Sequence, residues 1–244
     1  VMGGFFYSFQ LDCDFSGYSD IAIGMANVLG IDSRENFDCP YFSRGIKEFW
    51  SRWHISLSSW LKDYIYIPLG GNRVSKARHK LNVLATFLVS GLWHGANWNY
   101  VLWGCYYGAL LLIEKLVLKK VLNRLPGIIQ RIYTMLFEVI GWIIFKCEDM
   151  AYGLSYLKAM FGTGGYPLTS AASSYYFRSY FVVLMIALLG ATPIPKSFCR
   201  RIQQWKTGTA VMLFAEPLAL SALLLICTAF LVDGSFNPFL YFRF

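Results

Sequence analysis

Charge is what this chain has least of. Asp, Glu, Lys and Arg make up 15% of its 244 residues, where a soluble domain carries about 25%. No Cys-x-x-Cys pair occurs, and the six cysteines (Cys13, Cys39, Cys105, Cys147, Cys199 and Cys227) are scattered. A disulfide framework and a cysteine metal centre both lack a supporting pattern, so no metal site is expected. The six read as small apolar packing residues. The sequence has no Gly-x-Ser-x-Gly elbow, no His-Glu-x-x-His helix and no paired carboxylates, which removes the commonest hydrolase designs. Pro68-Leu69-Gly70-Gly71-Asn72-Arg73 makes a turn but lacks the lysine and spacing of a phosphate-cradling loop. Internal repeats, linkers and a second domain are likewise missing. Histidine is the remaining chemical resource, at His54, His79 and His94.

What is abundant is apolar: 56% of residues are hydrophobic and 18% aromatic. Leu81 to Ile113 contains no Asp, Glu, Lys or Arg over 33 residues, and a helix needs about 20 apolar residues to cross the hydrocarbon. Gly95, Ala96, Asn97 and Asn99 predict a break, with one helix over about 81–96 and another over about 100–118. Irregular backbone at membrane depth is tolerated only beside protein or a watery cavity, so His94 is placed at a helix end facing such a space. Two readings stand on this run: a working imidazole, or one that only hydrogen-bonds a neighbouring helix.

Further spans are predicted over Gly3–Ile31, Ile128–Phe145, Tyr180–Ala191 and Thr209–Val232. Pro193, Pro195, Lys196, Arg200, Arg201 and Lys206 read as a basic loop before the last span, and Asn237-Pro238-Phe239-Leu240-Tyr241 reads as an aromatic tail at the interface. The fold class is an all-α polytopic membrane protein. Segments 32–80, 119–131 and 196–206 hold 17 of the 22 Lys and Arg residues, which makes them cytoplasmic. The net charge of +8 is explained by that bias, and no aromatic-plus-basic nucleic-acid motif appears. Membrane lipids are the expected surroundings. The chain opens on Val1 without a signal peptide, and reads as the C-terminal portion of a longer protein.

Segment 32–80 is the most charged. Within it Ile46, Phe49, Trp50, Trp53, Leu57, Trp60, Leu61 and Tyr64 recur at spacings of three and four, which predicts an interfacial helix over about Gly45–Lys62. His54 belongs to its apolar side, pointing into a cavity or satisfied by a backbone carbonyl. Arg73, Lys76, Arg78, His79 and Lys80 come next, with His79 read as solvated. These residues anchor the next span, and they also suit attraction of a polyanion such as the phosphates of coenzyme A.

The run Phe49-Trp50-Ser51-Arg52-Trp53-His54-Ile55-Ser56-Leu57-Ser58-Ser59-Trp60-Leu61-Lys62-Asp63-Tyr64-Ile65-Tyr66-Ile67-Pro68-Leu69-Gly70-Gly71-Asn72-Arg73 resembles the signature of membrane-bound O-acyltransferases. It is most similar to the bacterial branch that O-acetylates alginate and related polysaccharides. Ser90 to Asn99 resembles that family's second signature, and 14–30 and 237–244 also resemble this branch. The resemblance implies a bundle of transmembrane helices with interfacial and re-entrant helices around a central tunnel. It implies one acyltransferase domain over 1–244 that lacks the family's N-terminal helices, in the bacterial inner membrane. The implied reaction passes an acyl group, usually acetyl from acetyl-coenzyme A or an acyl carrier, to a polysaccharide acceptor handled by extracytoplasmic acyltransferase partners. No bound cofactor is implied. His94 matches the catalytic histidine, His54 its supporting partner, and Asp63, Arg73, Trp93 and Asn97 are implied substrate contacts. Two alternatives remain: D-alanyl transfer to teichoic acid, and a non-enzymatic multispan transporter using the two histidines for protons.

Overall fold

The computed structural model describes residues 2–147, 149–163, 165, 167 and 169–233, so the aromatic tail 237–241 lies outside the described residues. Every regular element among them is helical: α1 (Met2–Val28), α2 (Ile46–Arg52), α3 (Ile55–Leu61), α4 (Lys76–His94), α5 (Trp98–Ile113), α6 (Lys119–Leu122), α7 (Gly127–Lys146), α8 (Met150–Met160), α9 (Ala171–Ser179), α10 (Phe181–Gly190), α11 (Ile194–Gln203) and α12 (Lys206–Asp233). Wide π-type turns succeed α3 (Lys62–Tyr66) and α5 (Glu114–Leu118). The chain divides into two compact units, Val1–Ala191 and Thr192–Phe244.

Among the described residues, three helical stretches are long and apolar enough to cross a membrane: Trp98–Leu122, Gly127–Lys146 and Thr207–Asp233. A fourth candidate is the pair α9 and α10, bent by 60°. Such lengths match about 30 Å of hydrocarbon. α4 falls short of that apolarity because its first turns carry Lys76, Arg78, His79 and Lys80 and because a polar ridge runs along it. Asn82, Thr86 and Ser90 are spaced by four and are buried, forming a polar ridge that His94 continues on the same side. That ridge faces protein, where polar groups find partners. Thr86 Oγ1 donates to Asn82 O at 2.7 Å, and Asn82 Nδ2 donates to Leu69 O at 3.0 Å and Gly71 O at 3.1 Å. The Pro68–Arg73 turn is thereby tied to the first turns of α4.

α4 and α5 make the closest helix pair in the first unit. A methyl at Gly91 would collide with Tyr100 O, and one at Gly104 with Phe87 O. Small residues let two backbones approach within dispersion range, the main source of helix association in lipid. Gly95 closes α4 with φ 151, and the space its missing Cβ leaves is taken by the Tyr100 ring. The expected break at 95–97 is therefore present.

Two expectations need correction. The helix expected over 45–62 is broken at Trp53–His54, because His54 adopts φ 46 and ψ 57. Asn36 enters the break: its carbonyl accepts from Ile55 N at 3.0 Å, and its side-chain oxygen accepts from Ser56 N at 3.1 Å and Ser56 Oγ at 3.0 Å. The basic loop at 193–206 is instead the ten-residue helix α11, with Pro195 in its first turn, where a missing N–H costs nothing. The cysteines, expected as packing residues, are only partly so: Cys13, Cys105 and Cys227 are exposed, and Cys39, Cys147 and Cys199 are half-buried.

Candidate active site

His94 stands in the last turn of α4, and four aromatic rings surround its imidazole. Ring centroids lie 4.7 Å away for Trp93, 4.9 Å for Phe145, 5.4 Å for Trp103 and 6.1 Å for Tyr100. Phe145 meets it at 89° and Trp103 at 82°, the edge-to-face arrangement that aromatic quadrupoles favour. His54 sits on the break between α2 and α3, with Phe15 at 4.7 Å and Trp93 at 6.1 Å. Trp93 thus touches both imidazoles, and the two histidines share one aromatic pocket. Neither ring has a hydrogen-bond partner among the described residues. The readings in which a helix or a carbonyl satisfies these histidines therefore have no hydrogen bond to support them.

Burial pushes the His54 pKa from its usual 6.5 down to about 4. A half-buried imidazole loses solvation most in its charged form, so at neutral pH His54 carries a free lone pair. The left-handed backbone at His54 is uncommon for a residue with a Cβ and stores strain, on the order of 1–3 kcal/mol. Such strain persists where surrounding contacts hold it. Here they include the Asn36 bonds, the Arg52–Asp38 bond at 3.3 Å and the Arg52–Glu48 ion pair at 2.9 Å.

The four other residues singled out from the sequence are spread along the chain. Trp93 lies between the histidines and is 60% exposed. Asn97 is exposed and caps α5, its Oδ1 accepting from Trp98 N at 2.7 Å. Asp63 is exposed on the wide turn after α3. Arg73 is exposed just before α4, and α4 rises about 27 Å between Lys76 and His94. The structure brings His54, Trp93 and His94 together, but not Arg73 or Asp63 with them. His79, expected to be solvated, is half-buried, with Nε2 3.2 Å from Lys115 Nζ.

Three residues near the pocket were not evident from the sequence. Asn99 is buried; its Nδ2 donates to Phe145 O at 2.7 Å, holding the ring that abuts His94. Asn99 Oδ1 has no partner among the described residues. Tyr107 donates to Glu138 Oε2 at 2.6 Å, and both are fully buried. Tyr107 packs on Trp103, which touches His94. The available signal was Glu138 itself, an acidic residue in the middle of an apolar run. Among the described residues no group of three His, Cys, Asp or Glu side chains could hold a metal.

A polar ridge that ends among aromatic rings with two histidines offers general acid–base chemistry. The model of the membrane-bound O-acyltransferase family matches residues 1–156, and the chain belongs to that family. It is 36% identical over 258 residues to the probable alginate O-acetylase of Pseudomonas putida, covering 100% of this chain and 53% of that protein. The peptidoglycan O-acetyltransferase of Helicobacter pylori is 35% identical over 252 residues, covering 98% and 48%. The teichoic acid D-alanyltransferase of Streptococcus thermophilus is 42% identical over 121 residues, covering 47% and 29%. The chain spans about half the length of the alginate and peptidoglycan relatives it matches.

Proposed function

We propose that this chain serves an integral-membrane O-acyltransferase of the bacterial inner membrane. The acyl group, acetyl by this reading, comes from a cytoplasmic thioester such as acetyl-coenzyme A and goes to a cell-surface polysaccharide. The observation that carries the proposal is the pocket at the end of α4, where Trp93 touches two imidazoles that have no hydrogen-bond partner among the described residues. His94 takes the proton from an acceptor hydroxyl while that oxygen attacks the thioester carbonyl carbon. The C–S bond then breaks, its electron pair leaves on sulfur, and the imidazolium returns the proton to the thiolate. An ester and a free thiol result. His54, neutral at physiological pH, orients His94 or the acceptor.

The relatives named for acetylation of alginate and peptidoglycan support acetyl transfer, since each aligns with nearly the whole chain. D-alanyl transfer is the second reading, supported by a shorter match that covers 47% of the chain. Extracytoplasmic acyltransferase partners receive the group at the outer face. Among the four other candidate residues, Trp93 and Asn97 contact substrate near His94, while Arg73 and Asp63 serve the donor on the cytoplasmic side. The test is transfer of labelled acetyl from acetyl-coenzyme A by the full-length protein in its membrane. Wild type consumes the donor and the His94→Ala protein, inserted to the same level, does not. Turnover by both would overturn the assignment, and D-alanyl transfer without acetyl transfer would select the second reading.

A further inference from the structure

The helix that stands in place of the expected basic loop has two unlike faces. On α11, Ile194, Phe198 and Ile202 recur every four residues, and Trp205 continues their stripe just beyond the helix. Ile194, Phe198 and Trp205 are 59%, 63% and 68% exposed, so the chain itself does not cover this stripe. Lys196 and Arg200 lie on the other side of the helix and Arg201 flanks the apolar edge. No acidic residue occurs between Thr192 and Lys206.

The neighbouring helix α12 indicates what covers the stripe. Its segment Thr207–Asp233 is the most apolar of the candidate spans, and none of its apolar stretch is buried within the chain. It begins four residues after α11 ends, so α11 stands about one turn from the start of that candidate span. The joint between them is built tightly. Thr209 N donates to Trp205 O at 2.8 Å and Thr209 Oγ1 to Gln203 O at 2.8 Å, and a methyl at Gly208 would collide with Ile202 O. A tryptophan at such a joint is the side chain that most often marks the headgroup layer.

We infer that α11 is a membrane-surface helix whose Ile194–Phe198–Ile202–Trp205 stripe enters the headgroup region, where its cations gather anionic phospholipid. Charge and apolarity point to the same occupant. A short helix with few apolar residues needs both terms to stay at the surface, and the cytoplasmic leaflet supplies the negative potential that basic side chains meet. The basic segment thus anchors the second unit and binds lipid headgroups by their phosphate charge, rather than only biasing its orientation.

The experiment uses the full-length protein reconstituted in phosphatidylcholine bilayers with or without phosphatidylglycerol. Spin-labelled phosphatidylglycerol and phosphatidylcholine report the preference of the lipid shell by electron paramagnetic resonance. Wild type is expected to prefer phosphatidylglycerol, and Lys196→Gln/Arg200→Gln/Arg201→Gln to lose roughly ten-fold or more of that preference, each nearby cation contributing a few-fold. Arg200→Lys/Arg201→Lys should retain it, and raised salt should weaken it because exposed charges are screened. In a cysteine-free background, a fluorophore at Phe198→Cys should be quenched by shallow lipid-borne quenchers, and one at Gln203→Cys by aqueous ones. Equal lipid preference in wild type and the triple variant would overturn the inference. So would a position-198 label reached only from water, which would leave an acidic protein partner as the occupant.

Discussion

The Glu114 carboxylate caps a helix 68 residues earlier in the chain: its Oε2 accepts from Ile46 N at 2.7 Å. Its Oε1 also reaches Lys47 N at 3.4 Å. The first N–H groups of any helix lack partners, and here a carboxylate from the end of α5 supplies them. Gly45 makes the approach possible, since a Cβ there would lie 3.0 Å and 3.2 Å from the two carboxylate oxygens. α2 then leads directly to the strained break at His54, so this cap sets where the second imidazole stands.

Removing the cap should loosen α2 without removing a reacting group. Glu114→Gln keeps one acceptor and loses the charge, and should cost about 1 kcal/mol. Glu114→Ala leaves the Ile46 N–H unpaired and should cost about 1–3 kcal/mol. Gly45→Ala should destabilise by pushing the carboxylate away. Melting temperatures of the purified protein in one detergent decide the order: wild type, then Glu114→Gln, then Glu114→Ala. Equal melting temperatures for wild type and Glu114→Ala would show that the cap is energetically idle.

The pH dependence of stability arises at His54. Its folded-state pKa of about 4 lies below the unfolded value near 6.5, so protonation favours the unfolded chain. This contribution is unchanged above pH 6.5 and works against the fold as pH falls from 6.5 towards 4, by on the order of 3 kcal/mol in full. Partial exposure of the ring lowers that figure. His54→Gln should therefore lose less stability than wild type between pH 7 and 4.5, read as the change in melting temperature. A larger loss in the variant would contradict the buried, neutral state of His54.

The hairpin around His94 was legible in the sequence, the short helices were not. Gly95 and Asn97 announce the end of α4 and the cap of α5 by local chemistry, and an uncharged run of that length has few other folds. The ridge Asn82–Thr86–Ser90–His94 is also written at four-residue spacing, in the polar positions rather than the apolar ones. By contrast, the break at His54 depends on Asn36, and the start of α2 depends on Glu114. Those partners are 20 and 68 residues away in sequence, so no local pattern carries them. The apolar stripe across 46–64 looks continuous because each half keeps helical spacing on its own. In 193–206 two prolines suggest a loop, yet both fall where a helix begins, and the amphipathic pattern after them is intact.

The basic turn gives a prediction separable from the histidines. Arg73, Lys76 and Arg78 are exposed and stand at the opposite end of α4 from His94, so the proposed reaction assigns them to donor capture rather than to proton transfer. Neutralising all three should raise the donor KM more than it lowers kcat, and the difference should shrink as salt screens long-range attraction. Initial rates at low and high ionic strength distinguish this from a fold defect, which would lower kcat alone and ignore salt.

The two histidines should respond unequally to the same substitution. If His94 is the base, its removal takes away proton transfer, worth roughly 10²–10⁴-fold in rate. Glutamine keeps hydrogen-bonding capacity but cannot cycle a proton, so His94→Gln should be about as inactive as His94→Ala. His54 lies one tryptophan away; if it acts by orientation, His54→Gln should retain measurable turnover while His54→Ala retains less. Trp93→Phe preserves an aromatic ring between them and should cost less than Trp93→Ala, which opens the pocket to water. Non-additivity is informative here: if the histidines work as one unit, the double variant should be little worse than His94→Gln alone. Acetyl transfer by correctly inserted protein reads all of these. Near-normal turnover in His94→Gln would move the base elsewhere in the pocket, and equal losses for His54→Gln and His94→Gln would show that both imidazoles handle the proton.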